Sequence, residues 1–295
     1  MKQITVLIIA SSEDPASINI KNSLLEQTSW DKTNIFLKNE VYHHKEMKNI
    51  VILTIPDSKI THENIVAEVK QNLGLEAKQA IFISRHTSKT GEPTLTVHPL
   101  GNYGLAEFGG KSNTLSFSSP KIMTQLLRIL KKNAKEKKLY HKVCFEVTHH
   151  GPYMTIPAVF IEVGSTEEEW NKKLPAKIVA KTILNLLQNH HYEEDFEKEM
   201  PVLVGVGGGH YAPRFTDVAL EKNIAFGHMI PSYQINAGNV NSNMIKQALD
   251  RTPNVEGVYI HRKALKKSQV TEFRQWFEEN GIPVLSSKEL PNLSF

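Results

Sequence analysis

The chain has one cysteine, Cys144, in 295 residues. An internal disulfide is therefore excluded. So is a zinc finger, which needs several thiolates. A lone thiol fits a reducing cytoplasm, and its apolar neighbours mark Cys144 as a buried, inert side chain. Long hydrophobic runs are missing too. The N-terminal run Ile4–Ala10 is far too short to span a bilayer and lacks a signal peptide's basic start and cleavage site. No membrane role is expected. There is no internal repeat and no low-complexity segment. Charge is nearly balanced, at net +4, which permits a polyanionic partner without requiring one. With thiolate pairs absent, any bound metal must rely on His, Asp and Glu.

What the chain does have is histidine, thirteen in all. The stretch Val143–Val163 shows how they are placed. Two β-branched apolar runs, Val143–Val147 and Ala158–Val163, have the length and composition of strands. Between them stand His149, His150, Gly151, Pro152 and Tyr153, while Glu146 and Glu162 lie inside the runs. Imidazole with carboxylate oxygen is the usual ligand set of a hydrolytic zinc. A polar loop whose histidines only hydrogen-bond is the competing reading.

Apolar strands alternate with amphipathic segments along the chain. Gln3–Ala10 reads as a buried strand, Ser11–Ser17 as turn and cap, and Ile18–Gln27 as a helix. Ile35–Leu37, Ile50–Ile55 and Ala80–Ser84 are further strands, and Thr61–Leu73 is a helix stopped by Gly74. Leu115–Phe117 is a short strand, and Ser119 caps a helix from Pro120 to about Lys138. A capping box at Thr166–Glu169 opens a long helix, bent near Pro175 and running to about Asn189. His190 and His191 read as partners of its C-terminal dipole, and Tyr192–Glu199 as an acidic linker. The order predicts an α/β fold with a mixed, mostly parallel sheet flanked by helices. Residues 1–295 read as one catalytic domain, with any subdivision falling near 192–200.

Two further stretches carry chemistry. Ser84–Gly110 is long for a connection and rich in Gly, Thr and His, a loop type that is usually functional. Arg85 and His86 follow a strand directly, where open α/β sheets bind ligands. Lys89, His98 and Tyr103 lie further along. Pro201–Leu220 runs from a strand into Gly205–Gly209, then His210 and Arg214. Gly207, Gly209 and Ala212 match a dinucleotide fingerprint formally. Pro213 delays the helix, however, and no acid follows at ribose-binding distance, so that reading is rejected. The glycines instead suit close approach of a substrate to backbone. After Ala225–Gly227 comes His228. Met244–Leu249 and Ser268–Glu279 read as helices, and Gly257–Ile260 and Ile282–Leu285 as strands. Lys131–Lys138 and Arg262–Lys267 are basic clusters, either solvated helix ends or phosphate contacts.

His86, His149, His150, His210 and His228 thus share one grammar: strand, turn, imidazole. Parallel strands bring such residues to one rim, where with Glu146 or Glu162 they can hold one or two metal ions.

The motifs SRHTSKTGEPTLTVHPLGNYG, FEVTHHGPYMTIPAVFIEVGSTEEEW, VGVGGGHYAPRF and GHMIPSY together resemble the archaeal and plant type of D-aminoacyl-tRNA deacylase. The resemblance spans the chain from first strand to last helix. It implies a phosphorylase/hydrolase-like α/β fold and a zinc-dependent esterase that frees D-amino acids from the 3′ end of tRNA. The expected metal ligands are His86, His149, Glu162, His210 and His228, with one or two Zn2+ per chain. Glu146, His150 and Arg214 are the expected catalytic groups. Arg85, Lys89, His98, Tyr103, Tyr153 and Gly207–Gly209 are expected at the substrate, with Tyr103 or Tyr153 stacking on adenine and the glycine amides holding an oxyanion or the terminal nucleotide. The partner is aminoacylated tRNA, and a monomer or weak oligomer is expected. The alternatives are a nucleoside phosphorylase or nucleosidase and a non-catalytic tRNA-binding module.

Overall fold

The computed structural model describes residues 5–189 and 200–293. His190, His191 and the acidic linker lie outside the described residues. The first half contains β1 (Thr5–Ser11), α1 (Pro15–Gln27), β2 (Trp30–Phe36), β3 (Asn39–His44), β4 (Ile50–Ile55), α2 (Ile65–Leu73) and β5 (Ala77–Arg85). Next come β6 (Thr94–His98), β7 (Gly101–Asn102), β8 (Thr114–Leu115), α3 (Pro120–Glu136), β9 (Lys142–Phe145) and β10 (Ala158–Gly164). α4 (Glu167–Asn171), α5 (Lys173–Asn189), β11 (Val202–Val206), α6 (Pro213–Glu221) and β12 (Ala225–Ile230) follow. The chain ends through α7 (Ser232–Asn236), α8 (Ser242–Asp250), β13 (Val255–Ile260), α9 (Lys267–Glu279) and β14 (Val284–Leu285).

Among the described residues, an eight-stranded sheet has the order β2-β3-β4-β1-β5-β10-β6-β9, and a four-stranded sheet the order β12-β11-β13-β14. The fold is α/β: the larger sheet is mixed and the smaller one parallel. β4, β1, β5 and β10 pair in parallel, as do all strands of the smaller sheet. β1, β4 and β10 are buried along their whole length, as expected of central strands covered on both faces. Successive side chains divide between those faces. Ile8, Ile52 and Val159 pack with Ile20, Leu126 and Ile183 of α1, α3 and α5, and this cluster continues into Phe215, Phe226 and Met229 of the smaller sheet's layer. Leu7, Ile9, Phe82 and Phe160 take the opposite face with Ile65 and Val69 of α2.

Several boundaries differ from expectation. α1 starts at Pro15 because the Asp14 side chain accepts from Ser17 N–H at 2.9 Å, a cap three residues earlier than read. The helix expected after Thr166 is two helices, broken at Lys172, and Pro175 lies inside the first turn of α5, where its missing N–H costs nothing. Trp30–His44 forms an antiparallel hairpin on the sheet edge. The short strand that the sequence allows at His98, before Pro99, is present as β6. It is fully buried and wedged between β10 and β9, antiparallel to the first and parallel to the second. The runs holding Glu146 and Glu162 are therefore not neighbours, and β6 carries His98 between them.

Candidate metal centre

The site starts from β6. Phe160 of β10 is opposite His98, and Glu162 is opposite Thr96. With a two-residue period, His98, Phe160 and Glu162 share one face of the sheet. The His98 and Phe160 rings stack with centroids 5.1 Å apart. Beyond β9 the segment Glu146–His150 threads between the two sheets. Glu146 N–H donates to Val97 O at 3.0 Å, Val147 N–H to His210 O at 2.9 Å, and Thr148 N–H to Met229 O at 3.1 Å. His150 has φ +45, a left-handed backbone that a side chain beyond Cβ disfavours, pinned where its carbonyl accepts from Gly101 N–H at 2.9 Å.

Five imidazoles and two carboxylates meet here. His98, His149 and His150 each donate Nδ1–H to a backbone carbonyl: Pro99 O at 3.1 Å, Val147 O at 2.8 Å and Gly151 O at 2.7 Å. In the neutral ring that places the proton on Nδ1 and the lone pair on Nε2, the arrangement that orients a metal-binding histidine. These three residues offer ligand atoms lying within 4.8 Å of one another, and so do His86, Glu146 and His210, and His98, Glu146 and Glu162. Glu146 is fully buried. Its Oε1 lies 3.1 Å from His86 Nδ1, and its Oε2 lies 3.1 Å from His210 Nε2 and 3.4 Å from His149 Nε2. None of these contacts is aligned as a hydrogen bond, and His98 Nε2 is likewise buried without a hydrogen-bond partner among the described residues. Buried polar atoms left this way carry a desolvation cost that a shared cation would offset. The residues fit a metal of N/O preference.

The electrostatics follow from burial and pairing. Burial opposes a charge on His86, but its 3.4 Å contact with Glu162 and the charges of Glu146 and Glu162 prevail and raise it to about 10. His98 is raised by the same carboxylates against the same burial. Burial would push both carboxyls up, yet the surrounding imidazoles hold Glu146 below and Glu162 well below the usual range. Burial and neighbouring imidazolium charge keep His149 well below its ordinary value and hold His150 at about 4. Those two rings are therefore neutral.

The cluster opens into a cleft of about 380 Å3 lined by His86, His149, His150 and His210, with Arg85, Lys59, Asp14 and Phe108 opposite. Lys59 and Asp14 are each 4% exposed and pair at 2.6 Å. Asp14 also accepts from Arg85 N–H at 2.8 Å, which ties the turn before His86 to the head of α1. The sequence carried no signal for this pair, since its members stand 45 positions apart in unremarkable turns. Phe108 lines the cleft while 65% exposed.

The family model for D-aminoacyl-tRNA deacylase matches residues 73–285. A curated D-aminoacyl-tRNA deacylase of Pyrococcus horikoshii is 38% identical over 261 residues, covering 87% of this chain and 90% of that protein. One from Methanosarcina mazei is 36% identical, covering 97% of this chain and 93% of its own. The chain belongs to the D-aminoacyl-tRNA deacylase family. The crystal structure of a conserved protein of unknown function superposes with a TM-score of 0.87 at 29% identity, covering 100% of both chains. A Campylobacter jejuni methylthioadenosine/S-adenosylhomocysteine nucleosidase matches 63% of this chain at 15% identity and a TM-score of 0.42, too remote to carry weight.

In this deacylase-family chain, His86, Glu146, His149, His150, Glu162 and His210 come together as expected. His98 joins them as a candidate ligand and not as a substrate contact. His228 does not join. It lies inside β12, fully buried, where Nε2–H donates to Ser116 O at 2.9 Å and Nδ1 lies 3.1 Å from Thr148 Oγ1, so neither nitrogen is free for a metal. Arg214 is turned away onto Tyr259 and Ser287 by the first turn of α6. Tyr103 is 1% exposed in the core and cannot stack on a base. The Tyr153 ring is covered by Lys111, whose Nζ is 4.0 Å from its centroid. Lys89 is exposed on the loop between β5 and β6, and Arg85 lies over Trp170 at the cleft edge. Gly207 and Gly208 donate their N–H groups to Ile230 O and Ser232 Oγ, both at 2.8 Å, which removes them as an oxyanion hole or phosphate cradle. Their positive φ values, +95 and +107, serve the turn that brings His210 to the cluster. Cys144 is buried, and burial pushes its thiol up, as the composition implied.

Proposed function

We propose that this chain hydrolyses the ester joining a D-amino acid to the terminal ribose of tRNA, and that the histidine–carboxylate cluster binds the zinc needed for it. The observation that carries the reading is the convergence of three carbonyl-anchored imidazoles, His98, His149 and His150, beside His86, Glu146 and His210 on an open cleft. An all-N/O donor set suits zinc. When bound, such an ion supplies Lewis acidity, polarising an ester carbonyl and lowering the pKa of water to roughly 7.

The chain's own groups do the rest. His210, with its side chain 38% exposed, reaches the cleft and rests on Glu146 Oε2. Its Nδ1, the nitrogen that does not face Glu146, takes a proton from water and returns it to the leaving ribose oxygen, while Glu146 beside Nε2 holds the ring in place. Arg85, exposed at the cleft edge, gives its wall positive charge for the 3′-terminal nucleotide, while the charge of buried Lys59 is compensated by Asp14. Phe108 offers the aromatic face that buried Tyr103 lacks, so adenine stacks there. tRNA is then the partner and the cytoplasm the site of action. Tolerance of many side chains follows if the cleft reads the geometry at Cα.

The test is elemental analysis of the purified protein with hydrolysis of D- and L-tyrosyl-tRNA before and after chelation. Zinc at one or two per chain, D-selective cleavage and loss on chelation are expected. Metal-free protein that still releases D-tyrosine at full rate would overturn the metal role, and failure on every D-aminoacyl-tRNA would overturn the activity.

A further inference from the structure

A second cavity, of about 840 Å3, lies on the smaller sheet's side. Arg214, His261, Arg262, Lys263, Lys267 and Arg274 line it, and no carboxylate does. The hydroxyls of Tyr259, Ser286 and Ser287 complete its polar wall. Among the described residues none of its arginines or lysines enters an ion pair within 4.0 Å. The Glu289 carboxyl, outside the lining, is lowered first by the bonds it accepts from Ser286 Oγ–H and N–H, at 2.6 and 2.8 Å, and least by Arg274. Arg214 is held flat by two neutral acceptors, Tyr259 Oη at 2.9 Å and Ser287 Oγ at 2.7 Å, with its charge uncompensated. His261 Nδ1 is buried without a hydrogen-bond partner. So many cations gathered without acids repel one another unless an anion lies between them.

The groove borders the glycine turn that carries His210. His261 N–H donates to Val206 O, just before the glycine turn, and a Cβ on Gly208 would lie 3.6 Å from His261 Nδ1. His210 lines the catalytic cleft and Arg214 lines the groove. They stand four positions apart in the chain, so their Cα atoms are at most about 14 Å apart.

We infer that this groove holds backbone phosphates of the tRNA acceptor arm while its 3′ end enters the histidine cleft. The inference rests on the deacylase reading above. Lysine and arginine in such a groove supply affinity and register without reading bases, which suits an enzyme that acts on tRNAs of many sequences.

The test uses the full chain with Lys267→Glu and Arg274→Glu combined. Two substrates are compared, D-tyrosyl-tRNA and the D-tyrosyl ester of adenosine, and binding of uncharged tRNA is followed against salt. KM for the tRNA substrate should rise about tenfold or more with kcat retained. The slope of log affinity against log salt should shrink by about 1.4–1.8, for two lost phosphate contacts. Hydrolysis of the adenosine ester should stay at wild-type rate, and Lys267→Arg with Arg274→Lys should restore tRNA binding. An unchanged tRNA KM and salt slope would overturn the inference, as would an equal loss on the adenosine ester. If the wild type cleaves neither substrate, the deacylase reading fails, and the salt slopes for uncharged tRNA still decide the groove.

Discussion

Replacing Asp14 with alanine probes how the cleft is attached to the fold. Asp14 Oδ1 caps α1 through Ser17 N–H at 2.9 Å, and Oδ2 meets Lys59 Nζ at 2.6 Å and Arg85 N–H at 2.8 Å. Losing the cap costs about 1 kcal/mol. Losing one partner of a buried ion pair costs about 3–5 kcal/mol, because the other charge is left without compensation. Lys59 is 4% exposed, so that figure applies with little solvent screening. The sum is about 4–6 kcal/mol, or a fall in melting temperature of roughly 10–20 °C for a domain of this size. Combining Asp14→Ala with Lys59→Met removes the stranded charge and should recover about 1–3 kcal/mol relative to Asp14→Ala alone. Urea denaturation of wild type, both single variants and the double variant gives the cycle. Deacylation measured below the melting range should also fall in Asp14→Ala, since the Arg85–His86 turn loses its anchor. A cost under about 1 kcal/mol, or additive single effects, would refute the reasoning.

Two other outcomes are expected. His150→Ala should weaken zinc binding by about 100-fold or more, read by competition with a chromophoric chelator, while the far-ultraviolet dichroism stays at its native value. His228 is held at about 4 by burial, partly offset by its bond to Ser116 and reinforced by Arg251. The unfolded chain therefore binds the extra proton between about pH 6.5 and 4. Stability from this residue is full above the upper value and is lost as pH falls toward the lower, about 3 kcal/mol in all. In His228→Gln that acid limb should flatten, and an unaltered pH profile of denaturation midpoints would remove His228 as its source.

The apolar runs of β1, β4, β5 and β10 could be read from sequence because each is a continuous buried segment bounded by turn residues. The strand-end rule also worked for His86, His149, His150 and His210. It failed at His228 because β12 runs on to Ile230, which leaves that ring inside the strand and between the sheets. It failed at Arg214 because α6 begins at Pro213, and its first turn carries the guanidinium away from His210. The placement of His98 needed the pairing of β6, inserted antiparallel to β10 and parallel to β9, two strands that follow it in the chain by more than 40 positions. Five residues bounded by Gly, Pro and Thr do not encode such a register. Lys59 stayed hidden for the same reason: its burial is set by a partner elsewhere in the chain.

Thr148 shows how far the centre depends on the seam between the sheets. Its N–H donates to Met229 O, and its hydroxyl accepts from Met229 N–H at 2.9 Å and reaches His228 Nδ1 at 3.1 Å. The next two residues are His149 and His150, held to the larger sheet's layer through Leu100 and Gly101, whereas His210 belongs to the smaller sheet's turn. The distance between the two halves of the histidine cluster is therefore fixed by a few seam bonds. Thr148→Val keeps shape and volume but strands Met229 N–H and His228 Nδ1 in a dry interior, at about 1–3 kcal/mol for each group left unsatisfied. Because the loss falls on the seam, metal affinity and kcat should drop by more than the stability change alone accounts for, and Thr148→Ser, which keeps the hydroxyl, should restore both. A Thr148→Val protein that binds zinc and cleaves D-tyrosyl-tRNA like the wild type would show that the two halves are held in register by packing and not by these bonds.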